Sequence, residues 1–569
     1  MKSMGAQLVT FMRPGTRRRN IMTLVRFFVT LGLLIAVYSV LFHYLMLREG
    51  QLHSWVTGVY WTLTVMSTLG FGDITFHTDL GRLFSMVVLL TGTVFLLILL
   101  PFVIIEFVYA PWLRAQSASR APRALPTKTR DHVLLACHET VARALMHRLD
   151  IYGVPHTMIV PTVDEALALH DDGVPAMVGA VDDPETWRQA RAEHAALVVA
   201  TASDPVNTNV AFTVREQTKD ATIVATAGDP ASVDILELAG SNHVLRLGAA
   251  MGSLLARRVT AGSAAASHVL TGCGDLRIAE AGVVGTILSQ KTPRAAGLLD
   301  IAGLEVLGVW NTGVFRPLDP DHPIGPHGIV LLAGEACALR AFDEAFVANL
   351  PEPGPVLILG GGRVGRAAAY ALAERGLTSR IVEREPSRVR PDLDTIVGNA
   401  AEREILDEAG IATASTVLVT PHDDDINVYL TLYARRLRPT VQILSRAARR
   451  RNVSTLYRAG ADVVLSYTSM GASALFNRLG CAEITQVAEG LALVQMFAPP
   501  ALRTSALDLA AVHRDTGVHI AAVVPQEGPM RLRPDRVRLR DDDRLLLVAD
   551  TEAERRFVGR YGSPPRMMP

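Results

Sequence analysis

The sequence predicts an α-helical membrane domain, two transmembrane helices with a short helix between them. Two α/β Rossmann-like units follow, each ending in a small α+β C-terminal lobe. Three observations lead there. Two apolar runs, residues 27–47 and 83–108, each have the roughly 20 residues needed to cross a hydrocarbon core as a helix. Beyond residue 130 short apolar strands alternate with helical segments, the pattern of a doubly wound parallel sheet. That pattern occurs twice, with its landmarks at a nearly constant offset.

The elements follow in order. The first apolar run is too long for a cleaved leader, lacks a clear small-residue cleavage site and is followed by a second span. Lys2, Arg13, Arg17, Arg18, Arg19 and Arg26 precede it, while Arg114, Arg120, Arg123, Lys128 and Arg130 follow the second run. This bias predicts a multi-pass protein of the inner (plasma) membrane with both termini cytoplasmic. Residues 55–66 are too short to cross and suit a re-entrant helix, whose C-terminal dipole would face a central cation. The Ala-, Ser-, Pro- and Arg-rich stretch 110–130 reads as a linker. The expected divisions are a membrane domain over 1–109, Rossmann-like lobes over 131–260 and 354–475, and small lobes over 261–350 and 476–560.

Between the two spans lies Ser67-Thr68-Leu69-Gly70-Phe71-Gly72-Asp73. Glycines two apart let the backbone alternate between conformations that a Cβ resists. The carbonyls of Thr68, Leu69, Gly70 and Phe71 can then point at one axis, and four copies would stack oxygen rings able to replace the hydration shell of K⁺. The segment resembles the T-V-G-Y-G filter of potassium channels, with Leu for Val and Phe for Tyr. The tyrosine hydroxyl that helps brace relatives' filters is therefore absent, which implies retained selectivity with a less robust filter. Gly92 stands 20 residues beyond Gly72 and matches the family's hinge glycine, although a glycine there also serves close helix packing. Pro101 removes one helix hydrogen bond and offers a second bend point.

The cytoplasmic repeat is read from matched residues. Strand residues 132–135 match 355–358, Val141 and Arg143 match Val364 and Arg366, and Gly153 matches Gly376, all at an offset of 223. Later, Thr201 and Asp204 match Thr420 and Asp423, and Ala239-Gly240 matches Ala459-Gly460. Apolar strands at 306–310 and 329–334, and again at 519–523 and 545–549, mark the small lobes. Two membrane helices, a filter and tandem Rossmann units resemble the ligand-gated prokaryotic potassium channels with RCK (regulator of K⁺ conductance) domains. That resemblance implies a homotetramer embedded in membrane lipid, with eight RCK domains in a gating ring.

The two repeats differ in chemistry. Gly360-Gly361-Gly362-Arg363-Val364-Gly365 gives a G-x-G-x-x-G turn between strand and helix. Gly360 permits the tight turn, Gly362 lets a pyrophosphate approach, and Gly365 allows close helix–strand packing. The helix N-terminus offers free N–H groups to phosphates, and Arg363 adds positive charge. Glu383 ends the next strand, where a ribose diol is held. Asn399 is placed near the adenine by the family resemblance alone. The expected regulatory ligand is NAD(H) or an adenine nucleotide. In the first repeat the corresponding residues are Cys137, Glu139, Ala142 and Val160, and the Glu139 carboxylate would repel a pyrophosphate.

Composition bounds the remainder. With 56 basic and 56 acidic residues the chain is formally neutral, so nucleic acid is not an expected partner. Cys137, Cys273, Cys337 and Cys481 are scattered, which argues against a disulfide framework or a zinc site. Cys137 as a redox sensor competes with the commoner structural cysteine. Asp423-Asp424-Asp425 and Asp541-Asp542-Asp543 are candidate Ca²⁺ ligands, against ordinary capping and turn roles. A membrane-tethered NAD-dependent oxidoreductase lacks a recognisable proton donor beside the cofactor. A transporter's regulatory subunit would carry no filter. The hairpin argues against that second alternative, and no catalytic residue is expected.

Overall fold

The structure is a computed structural model that describes residues 14–105, 109, 121–137, 139–259, 267–273, 276–311, 313–346, 354–526, 530–532 and 536–562. Lys2, Arg13, Arg114 and Arg120, which enter the orientation argument, lie outside them. The chain divides into two compact units, Met1–Pro122 and Arg123–Pro569.

The first unit is the membrane hairpin. A helix over Pro14–Arg48 is followed by the short helix Trp55–Met66, whose Ser54 cap accepts the Thr57 N–H. The second span runs as an α-helix over Asp79–Gly92, a π-helical stretch over Thr93–Leu99 and an α-helix over Leu100–Ile104. Only 17% and 11% of the most apolar windows of the two spans is buried, which separates them from the core helices of a soluble domain. Trp61 anchors the hairpin, with its ring 4.8 Å from Phe42, 5.3 Å from Phe76 and 5.7 Å from Phe84. The Glu49 carboxylate accepts the backbone N–H groups of His77 and Thr78, tying the end of the first helix to the cap of the second.

The second unit holds two parallel sheets and two antiparallel ones. In the first Rossmann lobe the strands are His132–Leu135 (β1), His156–Val160 (β2), Ala176–Val178 (β3), Ala195–Ala200 (β4), Ile223–Thr226 (β5) and His243–Leu245 (β6). Their order is β3-β2-β1-β4-β5-β6, all parallel. The first small lobe comprises Ser267–Cys273 (β7), Leu276–Gly282 (β8), Leu304–Asn311 (β9), Val314–Pro317 (β10) and Ile329–Glu335 (β11), closed by the helix Ala336–Phe346. The second Rossmann lobe repeats the first with Val356–Leu359 (β12), Ser379–Glu383 (β13), Thr395–Val397 (β14), Thr416–Val419 (β15), Gln442–Ala447 (β16) and Val463–Ser466 (β17), in the order β14-β13-β12-β15-β16-β17. The last lobe holds Glu483–Ala488 (β18), Leu491–Phe497 (β19), His519–Val524 (β20), Arg531–Leu532 (β21) and Arg544–Ala549 (β22), with the closing helix Thr551–Tyr561. The short parallel strands read as apolar runs because helices cover both faces.

The repeats exchange helices. The helix Leu247–Arg258, after β6, lies on Arg363–Glu374 of the other repeat, and Tyr467–Phe476, after β17, lies on Thr140–Tyr152. Glycines permit both approaches: a Cβ on Gly252 would stand 2.6 Å from the Ala368 nitrogen, and one on Gly471 would stand 2.9 Å from Val141. The closing helix adds a buried clamp, since Glu554 accepts the Tyr152 hydroxyl at 2.7 Å and pairs with Arg148 at 3.3 Å.

The repeat also corrects one match. Asp204 accepts the N–H groups of Gly228 and Asp229, and its structural equivalent is Asp424, which accepts those of Ala448 and Arg449. Asp423 is instead the cap preceding the helix Asp424–Leu437. One extra residue separates Thr420 from Asp424, so the offset changes to 220 there. Composition carries no mark of that insertion. Within the expected linker, Ala121 is buried and the Leu125 N–H donates to the Gln189 carbonyl.

Candidate functional site

The filter segment hangs from the C-terminal end of the short helix. The Thr68 N–H donates to the Val65 carbonyl, and the N–H groups of Leu69 and Gly70 both donate to Thr64 at 2.9 and 3.2 Å. Thr68, Gly70 and Gly72 have φ of 61°, 44° and 74°, so every second residue is left-handed. Thr68 pays the steric penalty of that conformation, while the glycines do not. Among the described residues no hydrogen bond ends on the carbonyls of Thr68, Leu69, Gly70 or Phe71. Their oxygens are free for another ligand.

Bracing comes from the helix side. Tyr60 donates its hydroxyl to Asp73 at 3.1 Å and lies parallel to Phe71, ring centres 6.4 Å apart. Trp61 Nε1 donates to the Ile74 carbonyl. The hydroxyl missing from Phe71 is thus matched by a different strut, one that the filter's own residues do not reveal.

Gly92 sits where the second span passes from α to π geometry. A Cβ there would stand 2.3 Å from the Met66 Cα, so the glycine is required for contact with the end of the short helix. Pro101 follows the π stretch, which closes with the Leu100 N–H donating to Phe95. Such wide turns absorb a missing hydrogen bond and recur at functional positions.

The second predicted site lies in the second Rossmann lobe. Gly360 turns the chain out of β12 with φ of 103°. A Cβ on Gly365 would stand 1.9 Å from the Gly360 carbonyl, whereas a Cβ on Gly362 would meet nothing within 4 Å. The open glycine therefore faces free space at the start of the helix Arg363–Glu374. Glu383 is 5% exposed and its two oxygens accept the N–H groups of Gly361 at 2.7 Å and Glu385 at 2.9 Å. Asn399 accepts the Ala401 N–H and lines the same cavity of about 1900 Å³ as Gly360, Gly362, Arg363 and Glu383.

The first Rossmann lobe is built differently. Glu139 caps the helix Thr140–Tyr152 without a side-chain cap bond, and burial pushes its carboxyl above the usual range. Ala142 and Val160 are buried and Cys137 is half-buried. The acidic triplets take local roles. Asp423 accepts the Asp425 N–H, Asp424 accepts from the Ala448 and Arg449 N–H groups and from Asn452 Nδ2, Asp541 pairs with Arg503, and Asp543 accepts the Arg540 N–H. Among the described residues no three His, Cys, Asp or Glu side chains are grouped to hold a metal ion.

Sequence reasoning overlooked three lining residues: His422, Arg446 and Tyr467. Arg446 is 6% exposed, its guanidinium stands 4.6 Å over the Tyr467 ring, and its Nη2 lies 2.9 Å from His422 Nδ1. Burial lowers the Arg446 pKa, and burial with the nearby Arg446 charge lowers that of His422. Comparison of the repeats carries the signal for Arg446 and Tyr467. Thr226 and Leu247 stand in their places at the 220 offset.

Comparison with known proteins agrees with this geometry. Residues 27–109 match the ion channel family, and residues 133–247 and 356–467 each match the TrkA-N domain. A solved structure described as the GsuK channel bound to NAD is 32% identical, covers 95% of this chain and 99% of its own, and superposes with a TM-score of 0.57. Potassium channel protein 1 of Methanocaldococcus jannaschii is 30% identical over 112 residues, 19% of this chain and 34% of that protein. The Trk system potassium uptake protein TrkA of Azorhizobium caulinodans is 29% identical over 206 residues, 34% of this chain and 44% of that protein. The chain thus spans less than half the length of these two curated relatives. With its hairpin and both repeats matched, the chain belongs to the two-transmembrane-helix potassium channels that carry RCK (TrkA-N) domains.

Proposed function

We propose that the protein is a potassium-selective channel gated by a nucleotide bound to its cytoplasmic RCK domains. The observation that carries the reading is the left-handed backbone at Thr68, Gly70 and Gly72, which leaves four successive carbonyls uncommitted. Carbonyl rings built from such a backbone replace the K⁺ hydration shell. Four chains would supply four filter strands and eight RCK domains, in a plasma membrane with both termini cytoplasmic. The Thr68 hydroxyl completes the innermost ligand set, and Gly92 and Pro101 are the bend points of the gate. NAD(H) or an adenine nucleotide occupies the second repeat, with its pyrophosphate at Gly360, Gly362 and Gly365, its ribose at Glu383 and its adenine near Asn399. The likeness to a channel described as bound to NAD supports that choice. A ligand changes gating only by binding the open and closed states with different affinity. The matched relatives are described as a potassium channel protein and a potassium uptake protein, which favours a protein without catalytic activity.

Flux through the full chain in proteoliposomes tests the reading. K⁺ flux that excludes Na⁺ and responds to NAD⁺, NADH, ADP or ATP is expected. Equal Na⁺ and K⁺ permeability would overturn the filter assignment, and flux indifferent to every nucleotide would overturn the gating assignment.

A further inference from the structure

Gly92 divides the second span into two parts that are held differently. On the filter side, the Tyr38 hydroxyl and Thr91 Oγ1 lie 3.0 Å apart and join the two spans. Thr91 Oγ1 donates to the Val87 carbonyl at 2.7 Å, so the Tyr38 hydroxyl is the donor to Thr91. The close approach of Gly92 to the Met66 Cα holds the same part against the end of the short helix. Beyond Gly92 the hold is apolar. The Phe95 ring lies parallel to Phe27 of the first helix, with ring centres 6.1 Å apart and planes at 19°. Both rings are partly buried against the hairpin's apolar cluster, which includes Leu31. The neighbouring Val94, Leu97 and Ile98 are 44%, 52% and 59% exposed, so Phe95 lies on the face that turns toward the first helix.

The two holds stand on opposite sides of a bend at Gly92. A bend there moves the part beyond the glycine and leaves the Tyr38–Thr91 bond intact. The Phe27–Phe95 contact belongs to the part that moves. Phe95 also begins the bond that closes the π stretch Thr93–Leu99, since its carbonyl accepts the Leu100 N–H. A π turn holds more residues than the 3.6 of an α turn. Conversion between the two twists the lower part about the helix axis and carries the Phe95 ring off Phe27. A contact made in one state and lost in the other biases the equilibrium between them.

We propose that Phe27 is a positioning residue of the gate: its ring holds Phe95, and with it the part of the second span beyond Gly92, in the conformation described here. The inference rests on the channel reading above, with its bend at Gly92, and deepens it. Tyr38 and Thr91 are the fixed side of the hinge. Aromatic pairs contribute attraction beyond the area they bury, so the contact has enough strength to set the gating balance.

Single-channel recording of the full-length protein in planar bilayers, without nucleotide and with NAD⁺ or ADP, tests this. Phe27→Ala and Phe95→Ala should each change the open-to-closed ratio in the same direction, by about 2- to 10-fold per subunit, the size of one aromatic pair. The double substitution should change it no more than either alone. Phe27→Tyr, which keeps the ring, should behave as the unmodified channel. Tyr38→Phe, which removes the bond on the fixed side, should leave the ratio unchanged. Selectivity for K⁺ over Na⁺ should hold in every variant. Should Phe27→Ala fail to assemble, Phe27→Leu, which keeps an apolar side chain but no ring, carries the same expectation. An unmoved ratio in the assembled Phe27 variant, additive effects of the two alanine substitutions, or an equal shift from Tyr38→Phe would overturn the assignment while the channel reading stands. Absence of K⁺-selective current from the unmodified protein would overturn that reading and the assignment with it.

Discussion

Glu383→Ala is the most direct test of the nucleotide pocket. Each oxygen of this buried carboxylate accepts one backbone N–H, from Gly361 at 2.7 Å and from Glu385 at 2.9 Å. A carboxylate oxygen has two lone-pair sites, so one on each oxygen remains for a ribose hydroxyl. Hydrogen bonds to a charged group are worth about 1.5–3 kcal/mol. Loss of one weakens nucleotide binding by roughly 10- to 150-fold. The same substitution strands the buried Gly361 N–H, which costs the ligand-free fold about 1–3 kcal/mol. Calorimetry on the full-length channel reads the first effect and thermal unfolding the second. Val160→Ala, at the corresponding position of the first repeat, removes two buried methyl groups and lowers stability by about 1–3 kcal/mol. Its nucleotide affinity should be unchanged. Equal affinity losses from both substitutions, or none from Glu383→Ala, would refute the asymmetric assignment.

The remaining predictions concern other parts of the chain. Tyr60→Phe removes the 3.1 Å bond to Asp73, so the channel should stay selective for K⁺ while its current decays faster under sustained activation. Unaltered decay in single-channel records would show that this bond does not brace the filter. Gly92→Ala forces a Cβ to within 2.3 Å of Met66 and should reduce the yield of folded protein on size-exclusion chromatography, whereas Pro101→Ala should assemble normally and change open probability. Normal assembly of Gly92→Ala would count against the close contact at Gly92, and unchanged open probability in Pro101→Ala against a bend at Pro101. Glu554→Ala removes the carboxylate that Arg148 pairs with and that accepts the Tyr152 hydroxyl, at a clamp whose two charged side chains are 5% and 2% exposed. Breaking such a pair costs about 3–5 kcal/mol, readable as a lowered denaturation midpoint of the channel.

Much of this protein is written in local sequence. Two apolar runs and alternating glycines specify a membrane hairpin and its filter, because hydropathy and backbone sterics act within a few residues. The strand–glycine–helix turn at Gly360 is local for the same reason, and so is its loss at Cys137, Glu139 and Ala142. The positive φ of Thr68 is different, since no property of threonine asks for it. It follows from the Val65 and Thr64 carbonyls that capture the Thr68 and Leu69 N–H groups. The exchange of helices between repeats, the Tyr60–Asp73 strut, the Glu554 clamp and the Arg446–His422–Tyr467 cluster join residues whose spacing carries no signal. Tertiary structure alone decided them, because a buried polar group must find its partner wherever the folded chain brings one within about 3 Å.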